Sequence, residues 1–369
     1  MDIAGFVGYW ICLSEWPSIY WKPIDGVNII RHFRLTRITD PMQFTRRRLA
    51  AISAALPGLL ALPALAQDSY PQRPVKLIVP FAPGGSTDIV ARLVADRMQA
   101  TLGQPVVVDN RTGGGGMIGS EAVARAEADG YTVGIGTAST LTVNPILLKA
   151  NRVDPLKDLA PITMLATVPT VFMVHPSFPG RSFEQVVAEV RAKPDFYNIG
   201  SAGTGSISHL LIEAMNTDLR FKLRHVPYRG MGPALTAALS GETEVSIDQY
   251  PSSAAHIKSG KLLPFAVGAP KRLEALPSVP TLKELGQPDL NELSMTWFGL
   301  VAPAKTPPAI QKKLHDAAVA ALREPALAAR LKELGADAAA GSAEAFRAKI
   351  ESGLARNRRI VQAAGINPE

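Results

Sequence analysis

The sequence predicts an α/β protein of two lobes, and three of its features carry that reading. From Tyr70 onward a strand, a small-residue turn and an amphipathic helix follow one another repeatedly, the alternation that builds a largely parallel sheet. The same design starts again past Pro169, after apolar runs at 162–167 and 170–174 separated only by Val168-Pro169. A buried strand at 297–301 then leads back to the first unit. A segment inserted between two such crossings makes a clamshell, with the ligand cleft between its lobes. The expected division is 67–168 with 291–369 for lobe one and 169–290 for lobe two. A chain of 369 residues, 47% hydrophobic and 19% charged, is globular and long enough for two domains of ordinary size.

The N-terminus is set apart before the fold is read. Thr45-Arg46-Arg47-Arg48 is a basic start, residues 49–66 carry no charge, and Ala64-Leu65-Ala66 is an A-x-A cleavage site. Pro57, Pro63 and the small-residue ending favour a cleaved signal over a membrane anchor. Residues 42–66 are therefore expected to be a signal peptide of Sec or twin-arginine type, with the mature chain starting at Gln67 in the periplasm. Residues 1–41 hold three of the four tryptophans and the one cysteine, Cys12, and are expected to be a spurious extension. A lone cysteine excludes a disulfide framework. Beyond residue 66 the charge balance is +4, from 32 basic and 28 acidic residues. That is too small a bias to suggest a nucleic-acid partner, though it suits a collector of small anions.

The elements follow in order. Val75, Leu77 and Val79 alternate in a strand at 75–79, and 80–85 breaks the pattern. Ser86 or Thr87 can cap a helix whose stripe is Ile89/Val90, Leu93/Val94, Met98 and Leu102. A second strand, 105–109, precedes the glycine run 113–116, and a helix over 120–127 ends at Asp129-Gly130. The strand 131–135 leads into the turn 136–140. In the second unit Ser182-Phe183-Glu184-Gln185 is a capping box, the strand 197–200 leads to the turn 201–206, and strands end at 225–230 and 245–248. The tail reads as helices over 308–323, 325–334 and 343–364.

Enzyme chemistry finds little support. Gly114-x-Gly116-x-x-Gly119 has dinucleotide-binding spacing. Four consecutive glycines make that turn too long, however, and the acid expected at the end of the next strand is missing. No G-x-S-x-G elbow is present, and six scattered histidines show no H-x-x-x-H pair. Ser206 and His209 read as a helix cap and a packed ring. The expectation is a protein without catalytic residues, cofactor or metal.

What remains is the repeated turn. The segments 81–88, 137–140, 201–206 and 228–230 each place small residues, hydroxyls or free amides after a strand, where ligands of α/β sheets bind. One helix terminus gives an anion about 0.3–1 kcal/mol, whereas micromolar binding needs about 8 kcal/mol. Converging turns can reach that through hydrogen bonds to a charged group, at roughly 1.5–3 kcal/mol each.

Pro80-Phe81-Ala82-Pro83-Gly84-Gly85-Ser86-Thr87-Asp88 resembles the first turn of the Bug-type receptors, extracytoplasmic substrate-binding proteins of tripartite tricarboxylate transporters. Val108-Asp109-Asn110-Arg111, Asn144-Pro145, Ser201-Ala202-Gly203-Thr204-Gly205-Ser206, His225-Val226-Pro227-Tyr228-Arg229-Gly230 and Trp297-Phe298-Gly299-Leu300 continue the likeness in register. The resemblance implies a type II periplasmic-binding fold and delivery of a small organic anion to a membrane permease. That anion is expected to be a mono- or polycarboxylate or an amino acid, and the receptor to be a monomer. A binding protein that feeds a sensor kinase is the alternative. The amides of Gly84, Gly85 and Ser86, with Thr87, are expected to hold the carboxylate, and Phe81 to form an apolar wall. Thr137, Ser139 and Thr140 are expected beside them, and Ser201, Gly203, Thr204 and Ser206 opposite. Tyr228, Arg229 and Asp248 are expected to set which ligand is accepted. Gln249-Tyr250 stand where the family often has asparagine and a small or apolar residue, at positions that face the cleft in relatives.

Overall fold

The structure is a computed structural model that describes residues 70–368. The expected extension and signal peptide lie outside the described residues. β1 (Val75–Val79), β2 (Val106–Asn110) and β3 (Thr132–Thr137) run parallel, with α1 (Ser86–Leu102) and α2 (Met117–Ala124) between them. A π-helical turn at Ser139–Val143 runs into α3 (Asn144–Leu147), and the chain enters β4 (Leu159–Val168) and β5 (Thr170–Val174). Only Pro169 separates these two strands, yet they belong to different sheets.

The second unit continues with α4 (Phe183–Ala192), β6 (Asn198–Ser201), α5 (Ile207–Asp218), β7 (Arg224–Pro227) and α6 (Met231–Ser240). β8 (Val245–Gln249), α7 (Tyr250–Lys258), β9 (Leu263–Gly268) and α8 (Pro288–Ser294) complete it. The chain returns through β10 (Thr296–Pro303), α9 (Pro308–Arg323), α10 (Pro325–Glu333), β11 (Asp337–Ala338) and α11 (Ala343–Ala363). The sheets are ordered β11-β4-β10-β3-β1-β2 and β7-β6-β8-β5-β9. Both are mixed, which corrects the expectation of largely parallel sheets. β10 enters between β3 and β4 and runs antiparallel to both, because it arrives from the other sheet and not through a local crossover. β5 likewise runs antiparallel to β8 and β9.

Each sheet is covered on both faces, and strand alternation decides which residue goes where. Val75, Leu77 and Val79 join Val90, Val94 and Met98 of α1 and Leu314 and Ala318 of α9. Ile78, on the opposite face, packs with Val123 of α2 and Phe346 and Ile350 of α11. In β5 Phe172 and Val174 pack toward α4 and α5, while Val171 and Met173 pack toward α6 and α7. The two crossings are tied together, since the Thr170 hydroxyl donates to the Ser294 carbonyl at 2.7 Å. Helix α2 starts three residues earlier than its apolar pattern suggests, directly after the 3₁₀ turn Gly114–Gly116.

The return strand is locked by one aromatic contact. Phe346 is fully buried, meets Trp297 edge-on at 5.5 Å, and its ring occupies the space a Cβ on Gly299 would need. Phe346→Ala is expected to cost about 3–5 kcal/mol. Trp297, the one tryptophan among the described residues, reports the loss by fluorescence during denaturant unfolding.

Candidate ligand-binding cleft

The opening turn is pinned from below. Asp88, in the first turn of α1, accepts from the Gly84 amide at 3.1 Å, from Arg92 Nε at 3.0 Å and from Asn110 Nδ2 at 3.0 Å. Burial by itself would raise its pKa, but these bonds together hold it below the ordinary carboxylate range. Asn110 Nδ2 also donates to the Phe81 carbonyl at 2.9 Å. Gly84 takes φ +87°, a conformation that favours glycine, whereas Gly85 at φ −81° is the N-cap of α1 and makes no side-chain cap. The amides of Ser86, Thr87 and Asp88 have no partner inside the helix, so they are available beyond the end of β1.

A second uncapped terminus faces this one from the other lobe. Gly230 is the N-cap of α6, with no side-chain cap, and Pro233 contributes no N–H. A Cβ on Gly85 would sit 3.4 Å from the Gly232 nitrogen and 3.8 Å from that of Met231. A Cβ on Gly232 would come within 2.4 Å of the Pro83 carbonyl oxygen. Backbone therefore meets backbone across the cleft.

Between these ends lies a cavity of about 20 Å³, enough for a water molecule or so. The two lobes meet closely around it. Phe81, Gly85, Ser86, Thr87, Thr137 and Ser139 line it from the first lobe, with Thr296 and Phe298 of β10. Ala202, Ile207, Ser208, Met231 and Gln249 line it from the second. Phe81 also packs with Ala202 and Met231 in an apolar cluster that spans the lobes. No residue of this lining is charged.

Hydrogen bonds hold the lobes closed. The Ala82 amide donates to the Arg229 carbonyl at 3.1 Å and the Ile207 amide to Ser139 Oγ at 3.0 Å. Asn144, fully buried, gives Nδ2 to the carbonyls of Gly115 at 3.3 Å and Gly205 at 2.9 Å, while its Oδ1 has no partner. A Cβ on Gly115 would lie 2.4 Å from the Thr204 carbonyl oxygen. The glycine run thus makes a lobe contact.

A further link runs through hydroxyls. Ser252 donates to Asp248 Oδ2 at 2.6 Å, which leaves its oxygen to accept from Ser86 at 2.7 Å. The Ser252 amide returns to Ser86 Oγ at 3.1 Å. Asp248 is 1% exposed. Its burial pushes the carboxyl up to about 7, against the bonds from Ser252 and the Gln249 amide.

The remaining sequence-predicted residues stand as follows. Thr140 and Thr137 bond each other, with Thr137 Oγ1 also accepting from the Thr140 amide at 3.2 Å. Ser201 Oγ lies 2.6 Å from His225 Nε2 and accepts from Gly203, and Ser206 caps α5 through the His209 amide. Thr204 sits on the lobe contact. Tyr228 donates to Glu242 at 2.9 Å, and the Arg229 side chain is exposed. None of these second-lobe side chains lines the cavity. Gln249, at a position that faces the cleft in relatives but not among the named contacts, does line it, as does Thr296, which the sequence reading missed; both stand at strand ends that flank the crossings.

One cluster brings together donors that the sequence kept apart. Atoms of His209, Glu213 and His225 lie within 4.8 Å of one another. The Gly205 amide donates to His209 Nδ1 at 3.2 Å, which places the ring proton on Nε2, toward Glu213. The two rings stack at 4.4 Å and 14°, so their in-plane lone pairs do not converge on one ion. Burial, and then the neighbouring His209, lower His225 to about 4. This donor set does not fit a metal.

Two lobes joined by paired crossings, with an uncharged cleft ringed by helix N-termini, define a solute receptor of the periplasmic-binding class. The chain belongs to the tripartite tricarboxylate transporter receptor family, whose model matches residues 90–366. It is similar to protein BugT of Bordetella pertussis, 36% identical over 299 residues, 81% of this chain and 91% of that one. It is also similar to the solved periplasmic binding protein BugD, at 34% identity and a TM-score of 0.79, covering 81% of this chain and all of that one. An R. palustris protein solved with adipate matches at 34% identity and a TM-score of 0.78, with the same coverage.

The buried acid gives a pH dependence. The unfolded chain releases the Asp248 proton near pH ~3.9, but the folded chain keeps it up to about 7. Stability is therefore undiminished by this group at low pH, declines as pH rises from about 4 to about 7, and levels off above that. Melting of Asp248→Asn beside the parent across pH 4–8 is expected to show the variant gaining relative stability up to about pH 7 and then levelling. A difference constant with pH would exclude this.

Proposed function

We propose that the protein is an exported receptor that closes on a small organic carboxylate and presents it to the membrane subunits of its transporter, without chemical change. One observation carries this reading: the uncapped N-termini of α1 and α6 face each other across the cleft, backbone against backbone. Their amides and dipoles favour an anion at the same place, and no cationic side chain competes there. The adipate held by the R. palustris relative supports the carboxylate class. The lobes would be 67–168 with 291–369 and 169–290, moving about the two crossings as a hinge. Gly84 would take part through its loop, Ser86 and Thr87 through amide and hydroxyl, and Thr137 and Ser139 through the wall. The transporter's permease subunits are the partner that the family implies, and the periplasm is the compartment.

The test is titration with carboxylates followed by melting temperature and Trp297 fluorescence. A ligand at a hundred times its Kd should add about 2.7 kcal/mol of stability, and it should be recovered unchanged. Gly85→Val and Gly232→Ala place atoms in the interlobe contact and leave each lobe intact, so both are expected to fold and to weaken binding at least tenfold. Unaltered affinity in both, or turnover of the ligand, would overturn the reading.

A further inference from the structure

Most hydroxyls that line the cleft are already engaged. Ser86 is bonded to Ser252, Thr137 to Thr140, Ser139 to the Ile207 amide, and Ser208 to the Ala202 amide and Ser206. Three lining side chains bond no protein group: Thr87, Gln249 and Thr296, which are 7%, 8% and 3% exposed. Their polar atoms are not sealed from solvent, so at the cavity a water or a ligand can pair with them. Thr87 belongs to the α1 terminus. Gln249 and Thr296 belong elsewhere: Gln249 pairs in register with Thr170 and Thr296 with Val168, the residues on either side of Pro169. They form the hinge end of the cleft, one from each lobe.

We infer, resting on the carboxylate reading above, that Gln249 and Thr296 receive the far end of the ligand, and that this end is an uncharged hydroxyl or amide and not a second carboxylate. A hydroxyl or amide both donates and accepts, as does each of these side chains. A carboxylate there finds no backbone N–H at α7 to hold it. The Tyr250 amide is bound to the Pro169 carbonyl and the Ser252 amide to Ser86, while Pro251 has none. The Asp248 carboxyl, without a cationic partner, lies one residue behind Gln249 and, once it ionises near pH 7 and above, would oppose a second negative charge. The site would thus differ in preference from the relative solved with adipate, a dicarboxylate.

The experiment is calorimetric titration of the full mature chain with three matched sets, running from succinate to adipate. Each set holds the dicarboxylate, its half-amide and the hydroxy acid of equal length. The half-amide or hydroxy acid is expected to bind about tenfold or more tightly than its dicarboxylate. Gln249→Met and Thr296→Val keep side-chain size and break no existing bond, so the unligated melting temperature should hold while the preference collapses. Dicarboxylates binding equally or better would overturn this inference and leave the carboxylate reading standing. A preference unchanged in both variants would overturn the assignment to these two residues. Failure of every probe to bind would overturn both readings.

Discussion

The cleft depends on backbone reaching backbone across the two lobes. At Gly85 and Gly232, at Gly115 against Thr204, and at Gly230 against Ala82 the chains approach so closely that a methyl group would press on or collide with main-chain atoms. Side chains carry charge on flexible stems and lose rotamer freedom when fixed. Main-chain amides at a helix terminus are already fixed by the helix. Bringing two such termini together would therefore make the proposed anion site at no further ordering cost, provided that glycine stands at the contact. Hydrogen bonds that join Asn144, Ser139 and Ser86 to the opposite lobe surround that contact.

That arrangement also explains what was legible in the sequence. β1 and α1 announce themselves because alternating valines and leucines run into a stripe at spacing three and four. The mirrored second lobe is legible for the same reason through β5 and β6. Helix α6 is not: Gly232 and Pro233 weaken its start, and the rest is alanine and leucine with little polar contrast. Helix α7 was likewise not read from the sequence: it begins at Tyr250-Pro251 and buries serines, which only the contact of Ser252 with Ser86 explains. The direction of β10 was beyond reach, because antiparallel insertion into a distant sheet leaves no mark on the strand itself.

The site was half legible, and the division has a physical cause. Phe81, Gly85, Ser86, Thr87, Thr137 and Ser139 follow strand ends in the recognisable first lobe, and they reach the cavity. In the second lobe charge and hydroxyls drew the eye to Arg229, Asp248, Ser201 and Ser206. Arg229 faces outward, Asp248 is sealed beneath Gln249, and the two serines satisfy a histidine and a helix terminus. Whether a polar group is free or spent depends on its partners, and partners such as His225 for Ser201 lie too far along the chain to be counted from composition.

A receptor must let go of what it binds, and the choice of donors bears on that. A buried ion pair costs several kcal/mol of desolvation per charge, and breaking it leaves the partner charge stranded. Here opening returns neutral amides and hydroxyls to water, so the protein keeps no uncompensated charge in the cleft when the ligand departs. Asp88 shows where a fixed charge can be held safely: behind the loop, paired with Arg92 and Asn110, supporting the donors without facing the ligand. Asp248 occupies the corresponding place beneath the second lobe's strand end, but with hydroxyl and amide partners alone. The two acids sit on opposite sides of one cleft, one balanced by a cation and one not. Once Asp248 ionises, near pH 7 and above, the field across the cleft becomes uneven, and a ligand with one charged end gains a preferred way to lie in it.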